Sequence, residues 1–160
     1  IKKIGLSETN VEGDIAALKN CTNLVNASFY DCFGITGDIA ALGNCTNLEK
    51  ADFHDCNNIT GDIASLGNCA NLKEAIFGSI DAMDLSGDIK AFVKLSNLKT
   101  ADFRFCLDIS GIFEVFVGLL ALQEVDVGYS KVDCSRALEL ISSEPWAHQI
   151  KSIGLGSTNV

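Results

Sequence analysis

The chain has 160 residues, of which 48% are hydrophobic and only one is Pro, and its formal net charge is -9. That is ample apolar material for one buried core and too much for a disordered chain. The acid excess argues against a polyphosphate partner, which needs clustered Lys and Arg, and no apolar run reaches the roughly 20 residues of a membrane-spanning helix.

A fixed internal period is the first clue to architecture, because self-similarity of this length marks a repeat solenoid. Gly-Asp-Ile begins at Gly13, Gly37, Gly61 and Gly87, with a degenerate copy at Gly111-Ile112-Phe113, so the spacings are 24, 24, 26 and 24. Asn-Leu keeps the same beat at Asn23, Asn47, Asn71 and Asn97.

In chain order, the expected strands are Ile4-Gly5-Leu6, Ala27-Ser28-Phe29, Ala51-Asp52-Phe53, Ala75-Ile76-Phe77, Ala101-Asp102-Phe103, Val125-Asp126-Val127 and Ile153-Gly154-Leu155, about seven in all. In each, two apolar side chains bracket one variable residue, a period of two that buries one face and exposes the other. The Gly-Asp-Ile that follows reads as a helix start: Gly permits a sharp turn, and Asp14, Asp38, Asp62 and Asp88 can cap the next helical turn. Ile-Ala-Ala-Leu then makes one or two turns. One repeat is therefore strand, turn, short helix and return, and stacked coils set their strands about 4.8 Å apart in a parallel sheet.

Two stretches break the period. Gly78 to Leu85 carries the two extra residues behind the 26-residue spacing and is expected to bulge as a loop, with Met83 either adding a soft contact or plugging the core. Near the C-terminus a longer helix is expected from Ser135 to Ser142, capped by Ser135 or Asp133, followed by Pro145-Trp146 and a segment from Ile153 to Val160 that echoes Ile4 to Val11. Both ends fall inside a repeat. The expectation is one repeat domain over residues 1–160 that is a fragment of a longer repeat protein, or whose ends associate with another copy.

The unit from Asn47 to Cys69, NLEKADFHDCNNITGDIASLGNC, resembles a leucine-rich repeat. The Cys three residues after the strand's second apolar residue resembles the cysteine-containing class, and the Gly-Asp-Ile with its 24-residue period resembles the plant-type class. The chain departs from both in using Ala where Leu is usual in the strand and in having no Pro within the repeats. The resemblance implies an α/β solenoid with a parallel sheet on its concave face and short helices on its convex face. It also implies a signalling or recognition role, since members of this superfamily mostly bind proteins or peptides on the concave sheet and include receptor ectodomains and regulatory segments of signalling proteins.

The seven Cys fit this frame. Cys21, Cys32, Cys45, Cys56 and Cys69 are spaced 11, 13, 11 and 13 residues apart, so they form two columns along the solenoid rather than a cluster. A column cannot gather four sulfurs around a zinc ion at bond lengths near ~2.3 Å, so no metal and no cofactor is expected. The odd count, and the presence of Thr9, Ile80, Ser130 and Thr158 at equivalent places, point to free buried thiols and lean towards a reducing, intracellular setting. A secreted or receptor setting is the alternative, given Asn-x-Ser/Thr sequons at Asn20, Asn26, Asn44 and Asn58. His54 and His148 belong to no triad or zinc motif, and no enzyme activity is expected.

What varies while the framework repeats is the exposed face of the sheet. The register points outwards Ser28, Tyr30 and Asp31; Asp52, His54 and Asp55; Ile76, Gly78 and Ser79; Asp102, Arg104 and Phe105; and Asp126, Gly128 and Tyr129. The expected partner-binding residues are Tyr30, Asp31, Asp52, His54, Asp55, Arg104, Phe105 and Tyr129, with the aromatics and Arg104 as anchors. Their acidic character implies a basic or polar protein or peptide. The competing expectation is a passive spacer or regulatory arm in a larger protein.

Overall fold

The computed structural model describes residues 1–143 and 148–158; Pro145, Trp146 and the last two residues of the C-terminal echo lie outside the described residues. The strands, numbered in chain order, form two parallel sheets. The first holds β1 (Lys3–Gly5), β3 (Asn26–Ser28), β5 (Lys50–Asp52), β7 (Glu74–Ile76), β9 (Thr100–Asp102), β11 (Glu124–Asp126) and β13 (Ser152–Gly154), in that spatial order. These are the seven expected strands, each starting one residue early. Their register aligns Ile4, Ala27, Ala51, Ala75, Ala101, Val125 and Ile153 in one inward row. Small Ala suits this row because the next inward row is bulky: Phe29, Phe53, Phe77 and Phe103 stack along the solenoid with ring centroids 5.1, 5.7 and 5.9 Å apart.

The second half of each coil corrects the expectation of turn followed by helix. Its Ile-Thr-Gly-Asp stretches are strands, β2 (Glu12–Asp14), β4 (Gly34–Asp38), β6 (Asn58–Asp62), β8 (Asp84–Asp88), β10 (Asp108–Ile112) and β12 (Lys131–Asp133), and they make a six-stranded parallel sheet. Two features favour extension here. Ile35, Ile59, Leu85 and Ile109 point into the core, and the hydroxyls of Thr36, Thr60, Ser86 and Ser110 donate to Gly carbonyls of the preceding coil at 3.3 to 3.5 Å. The Gly of each Gly-Asp-Ile then takes φ between +104° and +148°, which only Gly adopts without strain.

Helix follows only after the Asp. Residues Ile15–Leu18, Ile39–Leu42, Ile63–Asn68 and Ile89–Phe92 form 3-10 turns, and in each the preceding Asp carboxylate accepts from the amide two residues on at 2.7 or 2.8 Å. The tight 3-10 pitch places residues three apart on one side, so Ile39 and Leu42, or Ile63 and Leu66, are buried together. The fifth coil has Ile112 where an Asp would cap, and its helix α1 (Glu114–Val117) has no side-chain cap. The expected C-terminal helix is α2 (Ala137–Ser143), with Asp133 accepting from the Ser135 amide at 2.9 Å.

All seven Cys are free thiols, six of them buried and Cys21 half-buried. The column of Cys32, Cys56 and Cys106 has a use beyond filling space. Each Sγ donates to a backbone carbonyl of the preceding coil, of Leu6, Phe29 and Phe77, at 2.8, 2.9 and 3.6 Å, which ties neighbouring coils together inside the core. Burial raises the Cys69 thiol to about 11 and the Cys56 thiol to about 12, and Cys106 is raised by burial as well. These are poor nucleophiles at neutral pH.

Candidate functional site

The outward surface of the seven-stranded sheet carries the variable side chains. Beyond every strand of this sheet except β7 the chain turns through a left-handed residue, Glu8, Asp31, Asp55, Phe105, Tyr129 and Ser157, with φ from 54° to 59°. Asp fits that conformation, since its short side chain tolerates it, but a large aromatic side chain does not. Phe105 and Tyr129 therefore sit in a strained backbone, each costing about 1 to 3 kcal/mol. They are stacked on one another with centroids 4.3 Å apart and an interplanar angle of 12°, and Tyr129 remains 46% exposed. A second outward stack lies nearer the N-terminus, where Tyr30 packs on His54 at 5.4 Å. The His54 Nε2 lies 3.3 Å from the Asp55 carboxylate.

Beside the Phe105–Tyr129 stack, on the same two coils, the face is charged. Arg104 donates from Nε and Nη2 to Asp102 at 3.0 and 2.8 Å and reaches Asp126 at 3.6 Å, so Arg104 is both positioned and partly neutralised. Asp126 also accepts from the Gly128 amide at 2.9 Å. Partial burial nonetheless lifts its carboxyl above the ordinary value of 3.8, and the neighbouring Asp102 charge pushes the same way. Glycine makes room for these carboxylates: a Cβ at Gly78 would lie 2.2 Å from the Asp102 carboxylate, and one at Gly154 would lie 2.1 Å from that of Asp126. Thr100, Asp102, Arg104, Glu124, Asp126 and Ser152 line a polar depression of about 210 Å³ here.

Not every expected residue is accessible on the outward face. Asp52 is 8% exposed; it pairs with Lys50 at 3.2 Å and accepts from Ser28 at 3.4 Å, which makes it part of the scaffold rather than an available contact. Gly78 and Ser79 are buried too. Gly128 is buried as well, and Gly78 is covered by the Asp102 carboxylate. The two-residue insertion pushes Ile80 out to 77% exposure from the place expected for a buried ladder residue and seats Met83 in the core. The inserted turn is pinned: the Ile80 amide donates to Asp55 at 3.1 Å, Ser79 donates to Asn57 at 2.6 Å and accepts from the Asp81 amide at 3.1 Å. The structure adds Lys50, Glu74 and Glu124 to the face; their position one strand residue earlier follows from the same period of two and was overlooked because the strands start early. Among the described residues, no group of three or more His, Cys, Asp or Glu is placed to hold a metal ion.

No family model matches the chain, and no curated protein matches it. Solved structures do. The plant peptide hormone receptor RGFR1, determined in complex with RGF2, is 15% identical with a TM-score of 0.71 over 98% of this chain and 24% of the receptor. A TDR receptor is 14% identical with a TM-score of 0.69 over 99% of this chain and 26% of its own. The internalin InlF of Listeria monocytogenes is 17% identical with a TM-score of 0.57 over 99% of this chain and 55% of its own. The chain thus spans about a quarter of the two plant receptors and about half of the internalin. The fold is that of a leucine-rich-repeat solenoid.

Proposed function

We propose that the chain is a protein or peptide recognition module that binds through the outward face of its seven-stranded sheet, taken as the concave side of the solenoid. The observation that carries this reading is the Phe105–Tyr129 stack. Two bulky aromatics occupy left-handed positions that Asp fills in other coils; Tyr129 stays exposed and Phe105 is half-buried beneath the stack. Strain kept at an exposed site is accounted for by a surface whose shape matters to a ligand. The likeness to a receptor solved with its peptide hormone supports the same reading. No chemistry is required of the site, since its thiols are buried and its one Arg is paired. A passive spacer would not need the strained aromatics.

The test starts from a random dodecapeptide display library selected on the immobilised chain, with enriched peptides then titrated. At least one of Tyr30→Ala, Arg104→Ala, Phe105→Ala and Tyr129→Ala is expected to weaken binding by about 2 kcal/mol or more. Changes on the helix side, Lys19→Ala and Lys94→Ala, are expected to stay within about 0.5 kcal/mol. Binding that survives all four face variants and fails in the two helix-side variants rejects the assignment of the face.

A further inference from the structure

We infer that a second interaction surface runs along one flank of the solenoid, where the seven-stranded sheet turns into the six-stranded one, and that it takes an amphipathic helix whose apolar stripe is bordered by Lys or Arg. It does not depend on the recognition reading above, because its apolar anchors lie off the sheet face.

Exposure singles out the flank. Phe33 lies between β3 and β4, Ile80 between β7 and β8, and Leu107 between β9 and β10, each in the turn that carries the chain from one sheet to the other. They are 62%, 77% and 45% exposed. Ile80 is held out by its pinned turn, in which the Met83 amide also donates to the Phe105 carbonyl at 3.0 Å. At about 4.8 Å per coil, Phe33 stands roughly 10 Å from Ile80, and Leu107 roughly 5 Å further on.

The shape calls for a helix. Both sheets are already paired through these coils, so the flank offers no strand edge for an extended chain to join. A helix advances about 5.4 Å per turn, close to the coil spacing, so side chains on one face of about three turns meet the whole stripe.

Charge gives the borders. Asp31 and Asp55 stand in left-handed turns on the seven-stranded side of the stripe, Asp84 and Asp108 open β8 and β10 on the other side, and Asp81 lies in the inserted turn. Asp55 faces His54 and Asp108 faces Lys131; among the described residues, Asp31, Asp81 and Asp84 are in no ion pair. Residues 30–36, 54–60, 78–86 and 104–110 contain no Lys and a single Arg, Arg104, which Asp102 already holds. On the opposite flank, residues 19–26, 43–50, 67–74 and 93–100 carry Lys19, Lys50, Lys73, Lys94 and Lys99 against Glu49 and Glu74. Carboxylates thus gather where apolar side chains are exposed, which favours a basic helix over an acidic one.

The probe is a helical peptide of about 14 residues with Leu at i, i+4, i+7 and i+11 and Lys on both borders, titrated against the full chain by fluorescence anisotropy. Ile80→Ser and Leu107→Ser, both at exposed positions, are expected to weaken binding roughly fivefold or more. Asp84→Lys is expected to weaken it roughly two- to fivefold at 50 mM salt and less at 500 mM. Far-UV circular dichroism checks the fold of each variant. Equal binding by a peptide with Glu in place of Lys, or by one with a central Pro, overturns the inference, and so does the absence of binding at about 1 mM peptide. Weakening by Arg104→Ala and Tyr129→Ala with no effect of the flank variants would place the peptide on the sheet face, overturning this inference and not the recognition reading. Sedimentation of the chain alone should show no dimer; a salt-sensitive dimer lost in both Ile80→Ser and Lys94→Glu would make a second copy the occupant and overturn the basic helix.

Discussion

On the six-stranded sheet, Thr36, Thr60, Ser86 and Ser110 make the same hydroxyl-to-glycine contact in coil after coil, and Asp14, Asp38, Asp62 and Asp88 make the same cap. On the seven-stranded sheet, Ser28, Asp52, Ile76, Asp102 and Asp126 share one outward row and differ in size, charge and partner. Both sheets are built from the same coils on one core. The difference shows that the first sheet and its turns hold the coil spacing, which leaves the outward face of the second free to vary, because those side chains contribute little to the stacking that defines the solenoid.

The comparison breaks most sharply at glycine. At Gly61, φ is +104° and an added Cβ would lie 2.1 Å from the Asp38 Oδ1, so Ala must strain the backbone and displace the cap of the preceding coil. Gly61→Ala is expected to cost about 3 kcal/mol in a urea or thermal unfolding experiment, combining left-handed strain with a lost cap. Gly5 lies on the seven-stranded sheet with nothing within 4 Å of an added Cβ, and Gly5→Ala is expected to stay within about 0.5 kcal/mol. Equal costs at the two sites would remove the distinction between the sheets.

A smaller effect is expected from the caps. Asp38→Ala and Asp62→Ala should each cost about 1 kcal/mol, the usual worth of an N-cap carboxylate. Because each Asp also abuts the Gly of the next coil, the double variant should deviate from the sum of the two single changes. A rise of several degrees in melting temperature on adding calcium would instead mark the Asp column as a cation stripe.

The smallest effect sharpens the other side. Burial holds the Asp126 carboxyl above its ordinary value of 3.8, so the folded chain binds that proton more tightly than the unfolded chain. Its contribution to stability is therefore present below 3.8 and is lost as pH rises through the raised folded value. Asp126→Asn keeps an oxygen to accept from the Gly128 amide, and should leave stability at pH 7 equal to or slightly above that of the parent chain while flattening this part of its pH profile. A clear loss of stability at pH 7 would mean that the Arg104 contact matters more to the fold than to binding.

The period of 24, the two Cys columns and the capping Asp residues could be placed from the sequence by itself, because each is a local requirement repeated at a fixed distance and repetition exposes it. The seven-stranded sheet followed for the same reason, as did Tyr30 and Tyr129 as exposed aromatics, whereas Phe105 is half-buried. The six-stranded sheet did not, since Ile-Thr-Gly-Asp is extended only when the neighbouring coil supplies a carbonyl for the Thr hydroxyl and a ladder partner for its backbone. Nor did the burial of Asp52, which depends on Lys50 and Ser28 closing over it, or the outward turn of Ile80, which depends on Asp55 and Asn57 from the coil before. The strain at Phe105 and Tyr129 was equally hidden, because the turn that imposes it hangs on hydrogen bonds to Gly128 and Gly156 in the following coils. Contacts within one repeat leave their mark in the sequence; contacts between repeats that differ are settled only when the coils stack.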